Sequence, residues 1–116
     1  MCNLASMNLQ DLAPRAAEAE AFLKAMANRH RLMILCELHK GERSVGALQQ
    51  ALGLGQSALS QHLSKLREEK IVATRRQSQT IFYSLSDPQA ARLIALLYDA
   101  FCRADCEPDP VRPKES

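Results

Sequence analysis

The segment SVGALQQALGLGQSALSQHLSKLREEK, residues 44–70, restricts the fold more than any other part of the chain. Ser44 can cap a short helix, VGALQQAL, which stops at Gly53. After Gly53-Leu54-Gly55 a longer helix runs through SALSQHLSKLREEK. Two helices joined by a tight, glycine-bearing turn form a helix-turn-helix. The period then changes. IVATRR and TIFYSL are β-branched and aromatic runs, and Ile81, Tyr83 and Leu85 alternate as a half-buried strand does. Gln77-Ser78-Gln79 lies between them as a polar hairpin tip.

Further helices flank this unit. Pro14 suits a first helical turn, and Ala19, Phe22, Leu23 and Met26 follow at helical spacing. Ala17, Ala21 and Ala25 form a second stripe, so this helix can face its own core and let a partner helix approach closely. Asn28 can cap a second helix through about Leu38, ended by Gly41. Its body, RLMILCEL, is apolar nearly all round, the pattern of a buried central helix. The last helix opens on Asp87 and Pro88, with Ile94, Leu97, Tyr98 and Phe101 on one face and Leu93, Ala100 and Ala104 on another. The expected fold is mainly α with a small β-hairpin, a winged helix-turn-helix in the order α-α-α-α-β-β-α. Residues 1–13 read as a flexible leader and 14–106 as the domain. Residues 107–116, EPDPVRPKES, hold three prolines and read as a disordered tail.

At 116 residues and 47% hydrophobic positions, one domain with a modest core is expected. Such a chain hides only about two-thirds of its unfolded surface, so dimerisation is an easy way to bury more. The formal charge of +2 matters only if the positive residues cluster. No run of 18 apolar residues exists, and MCNLASMNLQDLAP lacks a charged segment followed by an apolar one. The chain reads as cytosolic, with no membrane partner. GxSxG, HExxH, Gly-rich phosphate loops and CxxC are all absent, so neither an enzyme nor a cofactor is expected.

A DNA-reading surface is expected instead. Leu59, Leu63 and Leu66 fall on the buried side of the longer helix. Ser57, Ser60, Gln61 and Ser64 share the opposite face, where serine and glutamine can bond base edges and phosphates in a major groove. Gln56 and Gln77 extend that surface at the helix start and the wing tip. Lys65, Arg67 and Lys70, with Arg75 and Arg76 on the wing, can reach flanking phosphates of double-stranded DNA. His62 lies beside Leu63 on the inward side and reads as a packed histidine bonded to the backbone.

Three segments, LKAMANRHRLMILCEL, GQSALSQHLSKLREEKIV and TIFYSLSDPQAARL, resemble the ArsR/SmtB family of winged-helix repressors, over about residues 14–106. The resemblance implies a homodimer joined through the first and last helices, a palindromic operator, and an inducer that lowers DNA affinity. The two apolar faces of the last helix agree with such a dimer. The family's wing usually turns on a glycine, whereas this one reads RRQSQ.

The four cysteines bear on the inducer. In a reducing compartment they are more often ligands, redox sensors or core fillers than structural bridges. Arsenic sensors of the family often carry CxC in the first helix of the helix-turn-helix, but SVGALQQAL has no cysteine. Zinc and cobalt sensors commonly use histidines of the last helix, and DPQAARLIALLYDAFCRADCE has none. Cys36 in RLMILCEL and Cys102 in YDAFC resemble the two cysteines of the sulfide-responsive SqrR/BigR subgroup. That resemblance implies a redox-sensing pair that takes up sulfur from a small persulfide or polysulfide and releases DNA upstream of sulfide-detoxification genes. A direct disulfide needs Cα atoms within about 7 Å, so thiols held slightly farther apart would accept only a longer sulfur chain. Both cysteines lie toward helix C-termini, where the dipole disfavours a thiolate. The alternative is an arsenite- or thiolate-metal-responsive repressor using Cys102 and Cys106, with or without Cys36. Cysteines four apart on a helix can share a soft ion, although two ligands are too few without help.

Overall fold

The computed structural model describes residues 7–102. Six α-helices and three strands appear there: α1 (Leu9–Leu12), α2 (Ala16–Met26), α3 (Arg29–His39), β1 (Arg43–Ser44), α4 (Val45–Leu52), α5 (Gln56–Glu68), β2 (Val72–Gln77), β3 (Thr80–Leu85) and α6 (Pro88–Phe101). The expected winged helix-turn-helix is present, with α4 and α5 as the helix-turn-helix and β2–β3 as the wing. Two elements are additions. α1 is capped by Asn8, whose side chain accepts from the Gln10 N–H, and a 3₁₀ turn at Ala13–Arg15 leads into α2. Helical structure therefore begins before the boundary expected at residue 14. The other addition is β1, which pairs antiparallel with β3, Arg43 opposite Tyr83 and Ser44 opposite Phe82. The sheet is thus three-stranded, in the order β1-β3-β2. Ala104 and Cys106 of the last helix's sequence lie outside the described residues.

The caps behave as their chemistry requires. The Asn28 side chain accepts from the N–H groups of His30 and Arg31, starting α3, and Ser44 Oγ accepts from the Ala47 N–H, starting α4. α4 ends on Gly53 at φ 67°, left-handed backbone that glycine adopts without cost. α5 ends differently. The Ile71 N–H reaches Leu66 O at 3.0 Å and the Lys70 N–H reaches Arg67 O at 2.9 Å, with Lys70 at φ 60°. That is a Schellman turn with a lysine where glycine is usual, closed by the buried pair Leu66 and Ile71.

Ile71 is also where the chain returns. Its carbonyl accepts from the N–H groups of Ser86 and Asp87, just before α6, and Ser86 Oγ donates to Lys70 O at 3.2 Å. The core gathers Met26 of α2, Ile34, Leu35 and Leu38 of α3, Leu48 of α4, Leu59, Leu63 and Leu66 of α5, Ile71 and Val72, and Ala90 and Ile94 of α6. α3 packs against α4, α5, α6 and β3, which makes it the central helix. One side of it stays open, since Met33 is exposed and Cys36 is half-buried.

Candidate nucleic-acid interface and thiol cleft

Burial of Leu59, Leu63 and Leu66, each at most 1% exposed, sets the rotation of α5. With that face fixed, a helix of 3.6 residues per turn must turn the intervening side chains outward. Gln56, Ser57, Ser60, Gln61, Ser64, Lys65 and Arg67 are all exposed, so α5 brings the whole expected set to one surface. Ser60, Gln61, Ser64, Lys65 and Glu68 line a shallow groove there. Glu68 lies 3.9 Å from Lys65, an exposed pair within one helical turn. His62 is half-buried as expected, but its partner is the side chain of Arg31 rather than the backbone.

On the wing the three expected residues separate. Alternation along β2 puts Arg75 and Gln77 on one face and Arg76 on the other. Arg75 Nε and Nη2 donate to the two carboxylate oxygens of Glu42 at 2.9 and 2.8 Å, and Nη1 donates to Gln77 Oε1 at 2.9 Å. The same guanidinium lies 4.7 Å from the ring centre of Phe82, its partner across the hairpin. The bond to Arg75 and its charge hold the Glu42 carboxyl below the usual range and raise the arginine in turn. Arg75 is therefore occupied, while Arg67, Lys70 and Arg76 form no ion pair among the described residues. Sequence reasoning does not find Glu42, a lone acid after Gly41 whose partner is 33 residues away. The hairpin turns on Ser78 and Gln79, with Gln77 and Thr80 paired, so Gln77 closes the strand. Ser78 takes the positive φ, 58°, that a tight hairpin demands and glycine ordinarily supplies.

The cysteines belong to a second place. α3 and α6 enclose an open cleft of about 310 Å³, with Cys36, His39 and Lys40 on one wall and Ile94, Tyr98 and Asp99 on the other. Cys102 caps α6, exposed, its N–H donating to Tyr98 O at 2.8 Å. It thus stands one turn beyond a residue of the cleft wall, on the same side of the helix. Lys40 Nζ donates to Glu37 Oε2 at 2.9 Å. That bond first, then the Glu37 charge, raises the lysine, and attraction to Cys36 adds to it. A cation therefore stands by the half-buried thiol. Cys106 lies outside the described residues. Among those described, no group of three or more His, Cys, Asp or Glu could hold a metal ion.

Large apolar side chains are exposed on both terminal helical segments. Leu9, Leu12 and Leu23 are exposed at one, and Leu96, Tyr98 and Phe101 at the other. No described helix is long and apolar enough to cross a membrane.

The family model described as "Bacterial regulatory protein, arsR family" matches residues 28–74, from the cap of α3 into β2. The chain is 50% identical over 101 residues to the "Transcriptional activator HlyU" of Vibrio cholerae serotype O1, covering 87% of this chain and 94% of that one. Its fold matches the crystal structure of the transcriptional repressor BigR from Xylella fastidiosa with TM-score 0.77, at 47% identity, over 83% of this chain and 98% of that one. It also matches reduced HlyU from Vibrio cholerae N16961 with TM-score 0.76, at 49% identity, over 81% and 99% of the two chains.

Proposed function

The chain belongs to the arsR family of bacterial transcriptional regulators, and from that premise we propose that it is a homodimeric repressor whose hold on a palindromic operator is switched by Cys36 and Cys102. α5 lies in the major groove with Ser57, Ser60, Gln61 and Ser64 toward the bases, while Lys65, Arg67 and Arg76 meet phosphates. Two such helices in a dimer read half-sites about 34 Å apart.

The observation that carries the switch is the cleft between α3 and α6, with Cys36 in its wall and Cys102 one turn beyond Tyr98. Cys36 lies in a cleft open to small molecules, with the Lys40 ammonium nearby to attract an anionic sulfur species, and the exposed Cys102 follows Tyr98 of the opposite wall by one helical turn. The Cys36 thiolate attacks an internal sulfur of an organic polysulfide and expels one thiolate, leaving a mixed polysulfide on Cys36. Attack by the Cys102 thiolate at its far end expels the second thiolate and closes the sulfur bridge. Repression rather than activation is part of the proposal, since the relatives carry both names.

The test uses an operator selected from random duplexes, with DNA binding and intact mass read on the same samples after treatment with an organic polysulfide. The wild type should gain sulfur and release DNA, whereas Cys36→Ser and Cys102→Ser should stay bound. Normal release by Cys36→Ser would defeat the two-thiol switch. Cys106→Ser separates the rival: a sulfur bridge between Cys36 and Cys102 tolerates it, and a thiolate-metal or arsenite site on Cys102 and Cys106 does not.

A further inference from the structure

Three helices meet at one guanidinium. Arg31, in the first turn of α3, donates from Nη1 to Ala25 O at 3.1 Å and to Lys24 O at 3.4 Å, both in the last turn of α2. Its Nε donates to Nδ1 of His62, in the middle of α5, at 3.3 Å. The Arg31 backbone N–H is itself held by Asn28 Oδ1 at 3.2 Å. Among the described residues, no other side-chain hydrogen bond of α5 reaches a different element. The rotation of α5 is set by its leucines, but apolar packing is non-directional and permits small slides. A hydrogen bond to a fixed guanidinium resists them.

The bond also dictates the state of the imidazole. Arginine has no acceptor, so Nδ1 of His62 must be the bare nitrogen and the ring proton sits on Nε2. The His30 ring lies 5.6 Å from the His62 ring, inclined at 39°. Arg31 and His30, both from α3, are the charged or titratable groups that act on His62, and neither α2 nor β2 brings a carboxylate against it. Burial first, then the charges of Arg31 and His30, push the imidazole below its usual value, which keeps it neutral at pH 7.

We propose that Arg31 is the positioning residue of the recognition helix, acting through the bare Nδ1 of His62, so that operator affinity falls when that nitrogen takes a proton from solvent. Protonated Nδ1 is a donor facing a donor. The tie opens, and a charged imidazole is left beside the guanidinium. DNA phosphates pull in the opposite sense, because a cationic histidine near them strengthens binding. The direction of the pH effect therefore separates a positioning tie from plain attraction. The proposal rests on α5 being the helix that contacts DNA.

Operator affinity of the full chain, kept reduced so that the cysteines stay silent, is measured at fixed ionic strength from pH 7.5 down to the lowest pH at which the fold is intact. From the usual size of one lost hydrogen bond, the wild type should weaken about three- to tenfold on acidification. His62→Gln keeps an acceptor for Arg31 without titrating. It should bind within about twofold of wild type at pH 7.5 and lose the pH dependence. Arg31→Lys keeps the charge but not the fork, and should be weak throughout. His30→Gln should keep the wild-type fall. Circular dichroism at each pH reports folding, and His62→Asn replaces the Gln variant if that does not fold. A wild type that binds equally or more tightly at the acid end of that range, or a His62→Gln protein with the same fall, overturns the proposal. A Ser60→Ala/Gln61→Ala protein that binds normally overturns the reading of α5 instead, whatever His62 does.

Discussion

Arg75 of the wing and Glu42 of the loop before β1 close a two-pronged ion pair, Nε to Oε2 at 2.9 Å and Nη2 to Oε1 at 2.8 Å. An arginine that the sequence assigns to DNA is held by an acid of its own chain. In the proposed complex a phosphate reaching Arg75 competes with Glu42 for the same fork.

Glu42→Gln should therefore tighten operator binding and steepen the slope of log affinity against log salt by about one, the signature of one more neutralised phosphate. Arg75→Ala in the Glu42→Gln background should return the slope to the wild-type value. An unchanged slope in Glu42→Gln that Arg75→Ala also leaves unaltered would show that Arg75 never meets DNA. The pH sign follows from the carboxyl, which Arg75 holds below its ordinary 4.5. The pair's contribution to holding the wing is complete above that ordinary value and is lost as pH falls through the lower, folded one. Loss of wing order at acid pH, followed by the Phe82 side-chain resonances, should be shifted in Glu42→Gln.

In the proposed complex the recognition surface divides into side chains that specify and side chains that hold. Gln61→Ala should cost about 1–3 kcal/mol on the selected operator and little on unrelated DNA. Arg76→Ala should weaken both alike and reduce the salt slope by about one. Titrations on specific and scrambled duplexes distinguish the two patterns. A uniform loss for Gln61→Ala would take that residue off the base edges.

Leu96, Tyr98 and Phe101 are 61%, 51% and 68% exposed, so α6 presents large apolar side chains to solvent. In the proposed dimer they are covered by the partner copy. Leu96→Glu/Phe101→Glu should sediment as a monomer with unchanged helicity and bind DNA about a hundredfold or more weaker, as expected when two linked half-sites become independent. A variant that still sediments as a dimer would move the interface elsewhere.

Much of this architecture was legible along the chain, because capping chemistry and helical period are local. Asn28, Ser44, Gly53, Asp87 and Pro88 each mark a helix end where the structure has one. The face of α5 follows from the spacing of its leucines. What the pattern hides is short or distant. β1 is two residues long, with no run to betray it, and α1 has a single turn. Arg31 with His62 and Arg75 with Glu42 are 31 and 33 positions apart, and nothing periodic links them. Positive φ at Lys70 and Ser78 is masked as well, since neither residue is the glycine that announces it. Cys36 and Cys102 were visible as a pair only through resemblance, and the cleft beside Cys36 appears once α3 and α6 are packed.

The fastening of Ser86 and Asp87 to Ile71 gives α6 the mechanics of a lever. Its near end is pinned to the corner where the reading helix passes into the wing, and its far end carries Cys102. At 14 residues the arm is about 20 Å long, so a shift of about 1 Å at the sulfur turns it by about 3° about the pin. In the proposed switch, closing the sulfur bridge at the tip acts through this arm as torque on the corner between α5 and β2.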